Sequence, residues 1–256
     1  MSSGKWLQKI ALIHENNGES NNGMSRYVAL EKSELVVTGR LVDASNATLF
    51  AHVDFNGSQI ACIYKPIAGE RPLWDFDEGC LANREYAAYC LSEYLGLGLV
   101  PFTVLRDGPY GLGMVQEWID INESIDLSEY FSQDLPELRK MALFDAIVNN
   151  TDRKIGHILP TSNNATYGCD HGVTFHEEDK LRTVLWQWAG LPFSEDEVKI
   201  LQKCKEGLAG KLGQTLAPLL TESEIQACSL RIDRMLVNGC FPEPSPLWPS
   251  VPWPAY

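Results

Sequence analysis

Residues 144–172, FDAIVNNTDRKIGHILPTSNNATYGCDHG, set the tightest limit on the fold. An apolar run ends in a polar, turn-like stretch, NNTDRKIGH. The apolar pair Ile158 and Leu159 follows, then a second polar loop, then Asp170-His171-Gly172. This text predicts a helix, a loop, a short β-hairpin and a second turn, with Asp152 and Asp170 on either side of the hairpin. The segment 136–149 places Leu138, Met141, Asp145 and Val148 on one helical stripe. A carboxylate on an apolar stripe costs roughly 2–7 kcal/mol unless hydrogen bonds satisfy it. Asp145 is therefore expected to be buried and tied to partners.

Upstream, ELVVTGRLVDASNATLFAHVDFNGSQIACIYKP (34–66) mixes β-branched and apolar residues with turn signals at DASNA and FNG. Three antiparallel strands are predicted, roughly 35–43, 47–55 and 58–65, with Asn56-Gly57 turning the second hairpin. LANREYAAYCLSEYLG reads as a helix stopped by Gly96. LVPFTVLR and LGMVQEWI read as two strands around DGPYG. Two more helices are expected between Ser194 and Asn238. The end, CFPEPSPLWPSVPWPAY, has six prolines and two tryptophans. Such a segment cannot be helix or central strand, and it is expected to lie extended on the surface. The class is α+β and bilobal. Its parts are an N-terminal extension (1–33) with a polar, mobile connector at 15–24, a small β lobe with one helix (34–118), a larger helical lobe (119–238) and a Pro/Trp-rich tail (239–256).

Two aspartates flanking a hairpin, with a lysine-bearing strand upstream, suit phosphoryl transfer. One aspartate orients or deprotonates the nucleophile; a ligand five residues later and a second aspartate followed by glycine hold the divalent ions of a nucleotide. Asp152 fits the first role, and His157 stands at the ligand position where the kinase pattern has Asn. Asp170 fits the second. Lys65, at the end of the third strand, is placed to reach phosphates, with Glu85 in the next helix as its partner. The glycine-free turn Ser45-Asn46-Ala47-Thr48 would cover the phosphates. Val115 to Trp118, including Glu117, would form the connector against which adenine stacks.

The order KP…REYAAYCLSEYLGLGLVP…MVQEWID…NTDRKxxH…DHG resembles the phosphatidylinositol 3-/4-kinase-like branch of the atypical kinases. More closely, nearly all of the chain from about residue 35 is similar to a family of actinobacterial PI3/PI4-kinase-like proteins, which share GRLVDASNAT and a terminal SPxWPxxPWP. The resemblance implies a kinase-like fold that takes ATP with Mg²⁺ or Mn²⁺. It also implies Asp152 as catalytic aspartate, His157 and Asp170 as metal ligands, Lys65 and Glu85 as the phosphate lysine and its partner, and Asp145 as support of the catalytic loop. Imidazole in place of an amide oxygen favours Mn²⁺. A non-catalytic nucleotide-binding regulator and a nucleotidyltransferase are the alternatives on the same fold.

Charge narrows the partners. With 21 Lys+Arg against 34 Asp+Glu the chain carries −13, a field that repels nucleic acid and anionic bilayers. Seven scattered cysteines without a C-x-x-C pair read as reduced cytoplasmic thiols. No export signal, polybasic cluster or palmitoylation insert is legible, so a soluble acceptor is expected over a lipid. The acidic run after Asp170, His176 to Asp179, would favour basic or neutral acceptors.

Overall fold

The structure, a computed structural model, describes residues 21–41, 46–76 and 80–256. Helix α1 (Asn21–Lys32) precedes three strands, β1 (Leu35–Arg40), β2 (Leu49–Phe55) and β3 (Ser58–Pro66). Helix α2 (Leu81–Leu95) follows, then β4 (Thr103–Gly108) and β5 (Gly111–Glu117). The five strands form one antiparallel sheet in the order β1-β2-β3-β5-β4. Both Asn56 and Gly57 have positive φ (50° and 79°), as the tight hairpin turn between β2 and β3 demands. Residues 21–24, expected as connector, are the first turn of α1; residues 15–20 of that stretch lie outside the described residues.

Side chains alternate across the sheet. Ala51, Val53, Cys62, Tyr64, Val104 and Val115 face one way and join a single buried cluster with Leu30 of α1 and Tyr86, Tyr89 and Leu91 of α2. Gly113 lets β5 approach β3 closely: a Cβ there would lie 2.5 Å from the Lys65 carbonyl oxygen. This close register holds the end of β3, and with it Lys65, against the sheet.

The remaining chain is mostly helical. It contains α3 (Leu127–Tyr130), α4 (Pro136–Val148), the hairpin β6 (Ile158–Pro160) with β7 (Thr166–Gly168), then α5 (Glu195–Leu208), α6 (Lys211–Leu216) and α7 (Glu222–Asn238). Helix α4 starts with Pro136 in its first turn and ends at Asn149 in the left-handed region (φ 53°). Its stripe of Leu138, Met141, Asp145 and Val148 is wholly buried, as the pattern required. Ser194 and Thr221 cap α5 and α7, each in a capping box with the glutamate three residues on. Three helices, not two, span 195–238, because the chain turns at Ala209-Gly210.

The tail is held by its backbone. Ser250 O accepts from Thr183 N (3.0 Å) and from the Trp186 indole (2.8 Å), and Ala255 O accepts from Ile155 N (2.8 Å). No helix among the described residues is long and apolar enough to cross a membrane.

Candidate active site

Helix α4 delivers the chain into the loop 149–157 with Asp145 still on its inner face. The guanidinium of Arg153 folds back onto that carboxylate: Nε lies 3.0 Å from Oδ2 and the terminal Nη2 lies 2.8 Å from Oδ1, with both side chains fully buried. Asn150 Nδ2 (3.0 Å) and Thr183 Oγ1 (3.3 Å) donate to the same carboxylate. Arg153 also donates to Cys169 O (3.0 Å) and meets His171 Nε2 (2.7 Å). One arginine thus fastens the Asp152 loop, the turn at 169–171 and α4 together. The sequence reading anticipated Asp145 but not Arg153. The available signal was an arginine directly after the aspartate, in a loop following a helix with an acid on its apolar face.

Lys65 Nζ is 2.7 Å from Glu85 Oε1 and is also paired with Asp170 Oδ1. Glu85 Oε2 accepts from His171 N (2.8 Å), so α2 is joined to both β3 and the Asp170 turn. Asp170 itself adopts φ 58°, a region that Asp tolerates better than most residues. Burial opposes the charge on Lys65, yet Asp170 and Glu85 outweigh it and hold its pKa above the ordinary lysine range. Burial likewise works against the Asp170 anion, but Lys65 and His157 hold its pKa below the usual carboxylate range. For Glu85 burial wins over Lys65, and its pKa is raised. His171, at the central position of the Asp-x-Gly turn, is fully buried and packs edge-on against Phe144 at 5.5 Å.

His157 Nε2 stands 3.3 Å from Asp170 Oδ2. Burial pushes the imidazole pKa down to about 4, against the pull of Asp170, so the ring is neutral and has a lone pair to offer. Lys154 N approaches Nδ1 at 3.5 Å, which places the ring proton at Nε2. Ligation through Nε2 would move that proton and forfeit the long Lys154 contact. Among the described residues no group of three or more His, Cys, Asp or Glu side chains is arranged to hold an ion. Asp170 and His157 would offer two donors to a divalent ion, fewer than such an ion needs from the protein alone.

Asp152 is partly exposed. Its amide N–H donates to Asn150 Oδ1 (3.0 Å), and its Oδ2 lies 3.5 Å from Lys154 Nζ. Burial raises its pKa, with Lys154 and Arg182 pulling the other way. Lys154 is a second residue that sequence reading passed over.

A cleft of about 490 Å³ gathers Asn46, Thr48, Lys65, Glu85, Asp152 and Asp170 in its lining. Asn46 accepts from Arg71 N (2.9 Å) and so ties the turn before β2 to the loop after β3. Ser45 lies outside the described residues. His157 stands beside Asp170 but outside the lining.

The side chains expected to form the adenine connector lie outside the lining of this cleft. Val115 pairs with Tyr64 in the sheet and is buried on the core face, opposite Lys65. Glu117 shares that face and pairs with Arg26 at 2.7 Å. The pleat puts Ile63, Met114 and Gln116 on the Lys65 face. Trp118 lies edge-on to Phe50 at 5.1 Å, and Phe50 pairs with Ile63. None of Val115, Glu117 and Trp118 lines the cleft.

The acidic run also differs from its expected role. Asp179 pairs with Arg231 and Arg234 of α7, Glu178 pairs with Lys180, and Glu177 accepts from Ser223. Asp179 and Glu177 hold α7, Glu178 stays with Lys180, and all three lie outside the lining.

The fold has counterparts among solved structures. The Golgi casein kinase with Mn and ADP bound superposes with a TM-score of 0.50 at 13% identity, covering 86% of this chain and 76% of that one. The Helicobacter pylori proinflammatory kinase CtkA gives 0.47 at 12% identity, covering 83% and 94%. The match to the Golgi casein kinase with Mn and ADP bound shows the bilobal, kinase-like fold. No family model matches the sequence. The Mycobacterium tuberculosis protein Rv2133c is 38% identical over 265 residues, spanning 90% of this chain and 95% of its own length. On that identity and coverage, the chain belongs to the family of Rv2133c.

Proposed function

We propose that this protein is an ATP-dependent phosphotransferase of the PI3/PI4-kinase-like type, acting on a hydroxyl of an acceptor molecule. The observation that carries the reading is the linkage of Lys65 to both Glu85 and Asp170, with Asp152 lining the same cleft of a kinase-like fold. In the reaction the acceptor oxygen bonds to the γ-phosphorus, and the bond from phosphorus to the β–γ bridging oxygen breaks. ADP departs with that electron pair, and the acceptor proton passes to Asp152. Lys65, steadied by Glu85, meets the nucleotide phosphates. Asp170 and His157 would hold a divalent ion, which would supply charge neutralisation. Arg153 holds Asp152 in place through Asp145. Binding of Mn/ADP is a property of the Golgi casein kinase structure and supports the same cofactors here.

The test is transfer from γ-labelled ATP by purified protein with Mn²⁺ or Mg²⁺. Transfer with Mn²⁺ is expected to exceed transfer with Mg²⁺, because imidazole is a softer ligand than an amide oxygen. His157→Asn should move the preference toward Mg²⁺. Equal rates with both ions, or rates reversed in favour of Mg²⁺, would count against His157 as a ligand. Label transferred from the α-position would point to nucleotidyl transfer.

The pH profile offers a separate check. Asp152 must be ionised to take the proton, and burial raises its pKa. Transfer should therefore fall as pH drops through a value above the usual carboxylate pKa of about 4. Lys154→Met removes a charge that opposes the shift, so the acid limb should move to still higher pH. A limb unmoved by this change would show that another group sets it.

A further inference from the structure

Beyond the phosphate-facing residues, the cleft is lined by Arg71, Trp74 and Asp75 from the loop after β3, and by Arg182 and Trp248. Its acids are largely committed. Glu70 accepts from Leu81 N (3.1 Å) and Ala82 N (2.8 Å) at the start of α2. Asp75 pairs with Lys180 at 3.2 Å, and Glu85 and Asp170 are held by Lys65. The arginines are not committed in the same way. The Arg71 side chain has no partner among the described residues, and Arg182 uses only Nε, which donates to Thr151 O at 2.7 Å. A chain of net charge −13 thus keeps two available guanidinium groups in the cleft that also holds Asp152.

Aromatic surface lies beside them. The Lys180 ammonium sits over the rings of Trp74 (4.8 Å) and Trp248 (5.0 Å), and Arg182 lies over Trp248 at 5.7 Å. Trp74 is 83% exposed. The indole N–H of Trp248 is buried without a hydrogen-bond partner among the described residues.

We propose that this part of the cleft is the acceptor subsite, and that the acceptor is a small soluble molecule carrying a phosphate or carboxylate on a ring. Its anion is met by Arg71 and Arg182, whose forked donors suit planar and tetrahedral oxyanions. Its ring lies along Trp74 and Trp248, and its hydroxyl faces Asp152. The assignment rests on the phosphotransferase reading of the cleft. It also gives the Pro/Trp-rich tail a place in recognition, since Trp248 comes from it.

The probe is phenyl phosphate, titrated calorimetrically into the full chain already loaded with ADP and Mn²⁺, with benzyl alcohol as its uncharged counterpart. Saturable uptake of phenyl phosphate and none of benzyl alcohol is expected. Arg71→Gln and Arg182→Lys should each weaken uptake by about tenfold or more, the size of a lost charge-assisted contact. Both variants should keep wild-type ADP affinity, and Arg71→Gln should also keep the wild-type urea midpoint. Trp248→Leu should weaken phenyl phosphate more than inorganic phosphate. Equal uptake of the two probes, uptake indifferent to both arginine substitutions, or capture of phosphatidylglycerol vesicles in place of phenyl phosphate would overturn the proposal. Lack of phenyl phosphate uptake by ADP-loaded protein refutes the subsite alone. Lack of ADP uptake refutes the nucleotide reading beneath it.

Discussion

Asp152→Asn is expected to lower phosphoryl transfer by roughly 10²- to 10⁴-fold, the usual contribution of a positioned general base. Nucleotide affinity should not change. The asparagine is nearly isosteric, and the backbone bond from residue 152 N–H to Asn150 Oδ1 does not use the lost charge. What disappears is the proton acceptor. The substitution also removes the Lys154 ion pair, but at 3.5 Å and partly exposed it contributes little to stability. Single-turnover transfer and nucleotide titration on the same preparation separate the two quantities. Transfer within about threefold of wild type, far below the general-base range, would remove Asp152 from the chemistry.

The largest stability effect is expected at Asp145. Asp145→Ala strands the wholly buried Arg153 guanidinium without its counter-charge and leaves Asn150 Nδ2 and Thr183 Oγ1 without their acceptor. Breaking such a pair from one side typically costs about 3–5 kcal/mol, a large share of the 5–15 kcal/mol that holds a domain folded. The urea midpoint should fall accordingly. The loss should be much smaller in the double variant Asp145→Leu with Arg153→Met, because no buried charge is then left unpaired. A single and a double variant of equal stability would mean that the pair carries no such charge. Surviving single-variant protein should also transfer phosphate poorly, since Arg153 ties the Asp152 loop to the Asp170 turn through Cys169 O and His171.

The two predictions rest on residues of very different visibility in sequence. Asp145 was legible because it breaks an apolar helical stripe, and burial of a carboxylate forces a partner on it. The partner was legible only as a nearby arginine: Arg153 lies in an irregular loop, where no periodicity says which way a side chain points. The sheet was readable from strand alternation and from Asn56-Gly57, whose turn requires positive φ at both positions. The core-facing direction of Val115 and Glu117 was hidden for a related reason. The strand containing Val115 was found, but its face depends on register, and a one-residue change reverses every side chain. Pairing of Lys65 with Met114 fixes that register, and it turns Val115 into the core.

Long-range electrostatics was the least readable part. The run His176 to Asp179 looks like a solvated acidic surface in sequence, yet Arg231 and Arg234, more than fifty residues on, claim Asp179. Conversely, Arg71, Arg182 and Trp248 carry no common pattern and meet only in the folded cleft. The extra helix boundary at Ala209-Gly210 had a signal in Gly207, Gly210 and Gly213 that the reading of two helices passed over.

The central claim is that Lys65, Glu85, Asp152 and Asp170 form one nucleotide cleft. Calorimetric titration of ATP into the protein with Mn²⁺ tests it most directly, alongside the same titration of Asp170→Asn. One ATP should bind per chain in wild type, and the affinity should drop sharply in the variant, where the neutral side chain no longer draws the ion and Lys65 to the phosphates. No heat of ATP binding in folded wild-type protein, or binding indifferent to both Mn²⁺ and Asp170→Asn, would contradict it.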